Sequence, residues 1–134
     1  MGRLLGLDYG TKRVGVAISD TSQLIASPYE VIDADLVLTG LDEILAVEEI
    51  EAIVVGLPIS LSGEEGASAR AARLLGRQVA GHTGLEVIFV DERFTTKVAD
   101  DALIAGGVRR AKRRDIRDKM AATVMLQGHL DSLR

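Results

Sequence analysis

Four acidic residues stand where packing explains them poorly: Asp8, Asp91, Glu92 and Asp118. Asp8 closes an apolar run and, on the alternating pattern of a strand, shares a face with Leu4 and Gly6. Asp91 and Glu92 follow a second apolar run at 86–90. Asp118 comes just before Ala121 and Ala122, small residues that would let a helix approach a sheet closely and lean Asp118 over the strand ends. Carboxylates gathered from separate elements repel one another unless a divalent cation lies among them, and hard oxygen ligands suit Mg²⁺ or Mn²⁺. Two such ions about 3.5 to 4 Å apart activate water and stabilise the leaving oxygen in phosphodiester cleavage. The ordinary alternative is that Asp8 and Asp91 are strand-end turn residues and that Asp118 caps its helix or pairs with Arg114.

Groups that could meet phosphate are also present. From Arg109 to Lys119 there are seven basic residues, among them Arg110, Lys112, Arg113 and Arg114, against Asp115 and Asp118. The chain is acidic overall, with a net charge of -4, and no Lys or Arg occurs between Val14 and Ala69. Ten Asp and Glu fall between Glu30 and Glu65. A polyanion could use the basic segment through local electrostatics whatever the net charge. The plain alternative is a solvated, mobile loop. The Gly10–Thr11 turn after Asp8 has a competing reading, since such a turn presents backbone N–H groups to phosphate. Sugar kinases and heat-shock ATPases carry a similar turn, but they clamp a nucleotide between two lobes, and 134 residues supply one.

Other chemistries find less support. There is no Cys, which excludes disulfides, thiolate metal sites and a Cys nucleophile, and two His make a His-rich zinc site a poor fit. His82 and His129 read as surface residues, and no GxSxG elbow or GxxxxGK[ST] loop occurs. Aromatic residues are only 3%, which argues against a base-stacking platform. No apolar run reaches the roughly 18 residues of a membrane span, and the chain opens on a strand-like run with no leader pattern. A cytoplasmic protein of one domain over 1–134, with a substantial core, is the expectation.

The elements that must position these groups follow from periodicity. Residues 3–9 and 13–19 read as strands joined by the Gly10–Lys12 turn, an antiparallel hairpin. A third strand is expected at 29–32 after Pro28, then a helix over 36–47 capped by Asp33 or Asp35 and weakened by Gly40. A nearly all-apolar strand at 52–55 should be covered on both faces. Ser62 and Glu65 have capping-box spacing and would open a helix to about 79, ended by 81–84. A strand at 86–90, a helix from Thr95 or Thr96 to about 105, and a last helix over 115–133 complete the chain. The order predicts an α/β fold: one mixed five-stranded sheet, three antiparallel strands first and two parallel crossover strands after, flanked by helices on both faces.

The run from Leu7 to Ala17 (LDYGTKRVGVA), Val55–Pro58 (VGLP), Val90–Thr96 (VDERFTT), Asp118–Ala122 (DKMAA) and Leu126–Gln127 together resemble the YqgF family. That family is described both as Holliday-junction resolvases and as pre-16S rRNA processing nucleases. The motifs fall in order along essentially the whole chain, with Met120 and Phe94 as small departures. The resemblance implies a ribonuclease-H-like fold and an acidic site in which Asp8, Glu92 and Asp118 hold Mg²⁺ or Mn²⁺, Asp91 adjoining them. It implies phosphate contacts from Lys12, Arg13, Arg93, Arg109, Arg110, Lys112, Arg113 and Arg114, with Gly56 and Pro58 shaping the loop beside the site. The expected function is a metal-dependent nuclease on structured nucleic acid, in rRNA processing on ribosome assembly intermediates or on branched DNA, acting as a monomer or weak homodimer. A non-catalytic nucleic-acid-binding module on the same scaffold is the alternative of a different class.

Overall fold

The computed structural model describes residues 2–58, 63, 65–91 and 110–133, and of 110–117 the backbone alone. The first two strands, β1 (Arg3–Tyr9) and β2 (Arg13–Ser19), have the expected bounds and pair antiparallel, Leu7 opposite Val16 and Asp8 opposite Gly15. The third, β3 (Ala26–Asp33), pairs antiparallel with β2 and begins three residues before the expected start. Pro28 lies inside it rather than ahead of it. The register slips between Val16 and Ala17, and β3 is an edge strand, the setting in which a strand tolerates a residue with no N–H.

A 3-10 turn at Ala34–Leu36 leads into α1 (Val37–Val47). Neither Asp33 nor Asp35 caps it: no side-chain cap hydrogen bond forms at either N-terminus, and the expected capping is corrected. Gly40 has a packing reason, since a Cβ there would stand 2.7 Å from the end of the Ile32 side chain. β4 (Ile50–Leu57) is buried at every position but Glu51, as a strand covered on both faces should be. The second helix, α2 (Ala67–Thr83), starts after Gly66 rather than at a Ser62–Glu65 box. Glu65 stays outside the helix and accepts two hydrogen bonds from Arg73, at Oε1 2.7 Å from Nε and Oε2 2.6 Å from Nη2. Gly84 ends α2 in the left-handed conformation at φ 74°, and β5 (Glu86–Asp91) follows. The last helix, α3 (Arg110–Ser132), begins five residues before the expected start, so the basic segment from Arg110 onward belongs to a helix rather than a loop. The helix expected from Thr95 or Thr96, with Glu92, Arg93 and Arg109, lies outside the described residues.

The sheet order is β3-β2-β1-β4-β5, with β4 parallel to β1 and β5 parallel to β4. The crossovers from β3 to β4 and from β4 to β5 move in the same direction along the sheet. Right-handed connection therefore sends α1 and α2 to one face. There Leu5, Leu7, Val14, Val16, Ile53 and Val55 pack against Val37, Leu41, Ile44, Leu75 and Val79. The other face is left to α3, where Leu4, Ala17, Ala52 and Val54 meet Ala122, Met125, Leu126 and Leu130. Each fully buried Leu or Val contributes about 1.5 to 3 kcal/mol through its apolar area. Gln127 ties α3 to the edge strand, accepting from the Ala26 amide at 2.8 Å and donating to the Leu24 carbonyl at 3.0 Å.

Candidate active site

Alternation along β1 puts Leu4, Gly6 and Asp8 on the α3 face. Asp8 is in register with Gly15 on one side and Gly56 on the other, so neither neighbouring strand raises a side chain beside its half-buried carboxyl group. α3 comes down on the same spot. A Cβ on Gly15 would lie 2.0 Å from the Asp118 carbonyl oxygen, so the helix backbone rests on the glycine. Ala121 and Ala122 behind it are fully buried, which is what the small residues predict. A Cβ on Gly6 would stand 3.0 Å from Leu126 Cβ, which marks the same close approach about two turns further on. Asp8 and Asp118 thus converge over Gly15 from two elements far apart in sequence.

The Arg114 side chain, the alternative partner of Asp118, lies outside the described residues. Asp118 Oδ2 accepts a hydrogen bond from Arg13 Nε at 2.8 Å, the side chains being 23% and 32% exposed. This pair, which no local spacing announces, joins one expected ligand to one expected phosphate contact. The missed signal is Gly15, an isolated glycine inside a strand, which marks close backbone approach. Asp91, the last residue of β5, is exposed and in register with Leu57, whose side chain packs on the α1–α2 face. With Val90 it borders a hollow lined by Val124, Met125, Gly128 and His129 of α3, on the side that Asp8 occupies. Among the described residues no three acidic side chains gather around one point. Glu92, the third acid of the expected set, and Arg93 and Arg109 are outside them.

The positions 110, 113, 114 and 117 recur three and four apart along α3 and so share one side of the helix, one to two turns before Asp118. Across the sheet, Glu65 is held by Arg73, whose guanidinium also lies 5.3 Å from the centre of the Phe89 ring on β5. The Arg73 hydrogen bonds hold the Glu65 carboxyl below the ordinary carboxylate range. This clamp stands where the β4–α2 connection returns to the sheet, and the sequence gives no sign of it. The histidines divide. His82 contacts Asp42 at 2.9 Å on the surface, as expected. His129 is instead half-buried, its Nε2 enclosed and, among the described residues, without a hydrogen-bond partner.

Three antiparallel strands, two parallel crossover strands and, among the described residues, two helices on one face and a long helix on the other define a ribonuclease-H-like fold. The structure of a Thermus thermophilus RuvC in complex with a Holliday junction substrate matches it with a TM-score of 0.57, over 99% of this chain and 96% of that one, at 19% identity. The family profile RuvX, described as Holliday junction resolvase, matches residues 2–132, and the chain belongs to that family. A Lactococcus lactis subsp. lactis relative provisionally named pre-16S rRNA nuclease is 44% identical, over 97% of this chain and 94% of its own. A relative from Agathobacter rectalis with the same provisional name is 39% identical, over 98% and 96%.

Proposed function

We propose that the chain is a metal-dependent nuclease on structured nucleic acid, and that its substrate is the 5′ end of the pre-16S rRNA. The observation that carries the reading is the convergence of Asp8 and Asp118 over Gly15. Two half-buried carboxylates from different elements are a donor set of hard oxygens, and this fits Mg²⁺ or Mn²⁺. Asp8, Glu92 and Asp118 are the ligands, and Asp91, beside Glu92 and bordering the hollow under α3, adjoins them. When bound, such a cation supplies a Lewis acid and a water of lowered pKa for attack on phosphorus.

The protein supplies the rest. Gly15 and Gly56 keep the ground beside Asp8 bare, so a phosphodiester can come close to its carboxylate. Lys12 and Arg13 at the head of β2, Arg93, Arg109, and the basic start of α3 at Arg110, Lys112, Arg113 and Arg114 neutralise the backbone of the strand and position it. One protomer suffices to trim a single strand in the cytoplasm, on a ribosome assembly intermediate. Among the described residues no helix is long and apolar enough to cross a membrane. The names of the relatives, at 39 to 44% identity, support the rRNA substrate.

The family description favours a second reading, resolution of four-way DNA junctions. Cutting two symmetric strands would call for a two-fold dimer. The test is cleavage of a labelled pre-16S rRNA 5′ fragment and a labelled four-way junction by one preparation, with Mg²⁺ and with Mn²⁺. Ion-dependent cleavage of the rRNA fragment alone is expected. Cleavage of the junction alone reverses the substrate assignment. Tight binding of both without cleavage leaves a binding module.

A further inference from the structure

The Arg13–Asp118 pair sets two roles of the site against each other. Asp118 Oδ2 is 2.8 Å from Arg13 Nε, so the guanidinium already neutralises the carboxylate. A divalent cation held by the same carboxylate would stand a few ångströms from a like charge. Two such charges repel strongly in a half-buried site, where the effective dielectric is far below that of water. The backbone of α3 is held close on the sheet, with Ala121 and Ala122 fully buried and the Asp118 carbonyl over Gly15, so moving it costs packing. The Asp8 backbone is held in register between Gly15 and Gly56. The part free to move is the Arg13 side chain, a long stem on the first residue of β2 and about one-third exposed.

We propose that Arg13 is the counter-ion of Asp118 in the metal-free protein, that a cation entering the site displaces it, and that the released guanidinium then meets a phosphate of the substrate. This deepens the nuclease reading and rests on Asp118 being a ligand. Metal and nucleic acid then favour each other's binding, because each relieves a conflict the other creates. It also gives the family's Lys12–Arg13 motif two successive partners in place of one.

The test begins with calorimetric titration of Mn²⁺ alone into the wild type, Arg13→Gln, Arg13→Lys and Asp118→Asn, each checked by thermal melting. Arg13→Gln should bind Mn²⁺ on the order of tenfold more tightly than the wild type. Arg13→Lys, which keeps the charge, should stay near the wild type. Equal or weaker Mn²⁺ binding by Arg13→Gln would overturn the exchange and make Arg13 a fixed support, while Asp118 remained a ligand. Wild-type binding by Asp118→Asn would instead remove Asp118 from the metal site, and the exchange with it. A second measurement uses the labelled pre-16S rRNA 5′ fragment, with Ca²⁺ or with a chelator. Arg13→Gln should weaken binding only when the ion is present. Equal weakening in both conditions would mean that Arg13 meets phosphate without any exchange.

Discussion

At the level of single residues, the site is defined as much by what is missing as by what is present. Asp8 works between two glycines, and Asp118 is seated on one of them. Two substitutions separate these contributions. Asp8→Asn keeps shape and removes one charge from the proposed metal ligands. Cleavage should fall on the order of 10²-fold or more, since charge stabilisation at the phosphorus is lost. The melting temperature without metal should hold or rise, because like charge near Asp118 is reduced. Wild-type cleavage by this variant in Mn²⁺ would remove Asp8 from the site. Gly15→Ala is the opposite experiment, adding a methyl and no charge. Its Cβ would fall 2.0 Å from a helix carbonyl, and neither a paired strand nor a packed helix gives way easily. The expected cost is about 2 to 3 kcal/mol, read as a fall of roughly 5 °C in melting temperature per kcal/mol. Cleavage should fall as well, because α3 must lift and carry Asp118 with it.

Among the elements, β1 and β2 are placed by two short apolar runs on either side of a Gly-containing turn, the second with partial alternation. Such local reading fails where a local signal has a tertiary purpose. Pro28 looks like a strand boundary and is an edge-strand residue at a register slip. Ser62 and Glu65 look like a capping box, but Glu65 is drawn to Arg73, eight residues on. The charge density at 110–114 looks like loop, whereas the chain is helical there. The acids were legible as strand-end and helix anomalies, but the Arg13–Asp118 pair spans 105 residues and no short spacing encodes it. The Glu65–Arg73 clamp carries its own prediction. A carboxyl held below its ordinary value of 4.5 contributes stability above that value and loses it as pH falls through the folded one. Arg73→Gln should therefore melt below the wild type by no more than a few degrees at pH 7, both partners being well exposed. The gap should narrow as the pH falls from the ordinary value of 4.5 through the lowered one, and what remains reports the Phe89 ring contact, which does not titrate. A gap independent of pH would assign the whole effect to the ring.

Across the whole molecule, charge is sorted by the sheet. The acidic helix α1 packs on one face and α3, with its basic start, on the other. Of the ten acids between Glu30 and Glu65, Asp42, Glu43 and the α1–β4 connection at Glu48 and Glu49 follow α1. A phosphate backbone approaching Asp8 and Asp118 from the α3 face has the sheet between itself and those carboxylates, which shortens the list of charges that oppose it. The first turn of α3 has no acidic residue, so its N-terminal dipole is left to repel its own arginines. Bound phosphate would reverse that repulsion. Neutralising Arg109, Arg110, Arg113 and Arg114 together to Gln should then weaken binding to every sequence alike, because phosphate contacts carry no base information. Each lost contact should flatten the slope of log K against log salt by about 0.7 on single strands and about 0.9 on duplex DNA. Cleavage at saturating substrate should survive better than affinity, since none of the acids is altered. Titration of a labelled substrate over a range of salt concentrations gives the slope directly. A slope unchanged in the quadruple variant would mean that these arginines face solvent, and that Lys12, Arg13 and Arg93 carry the phosphate contacts alone.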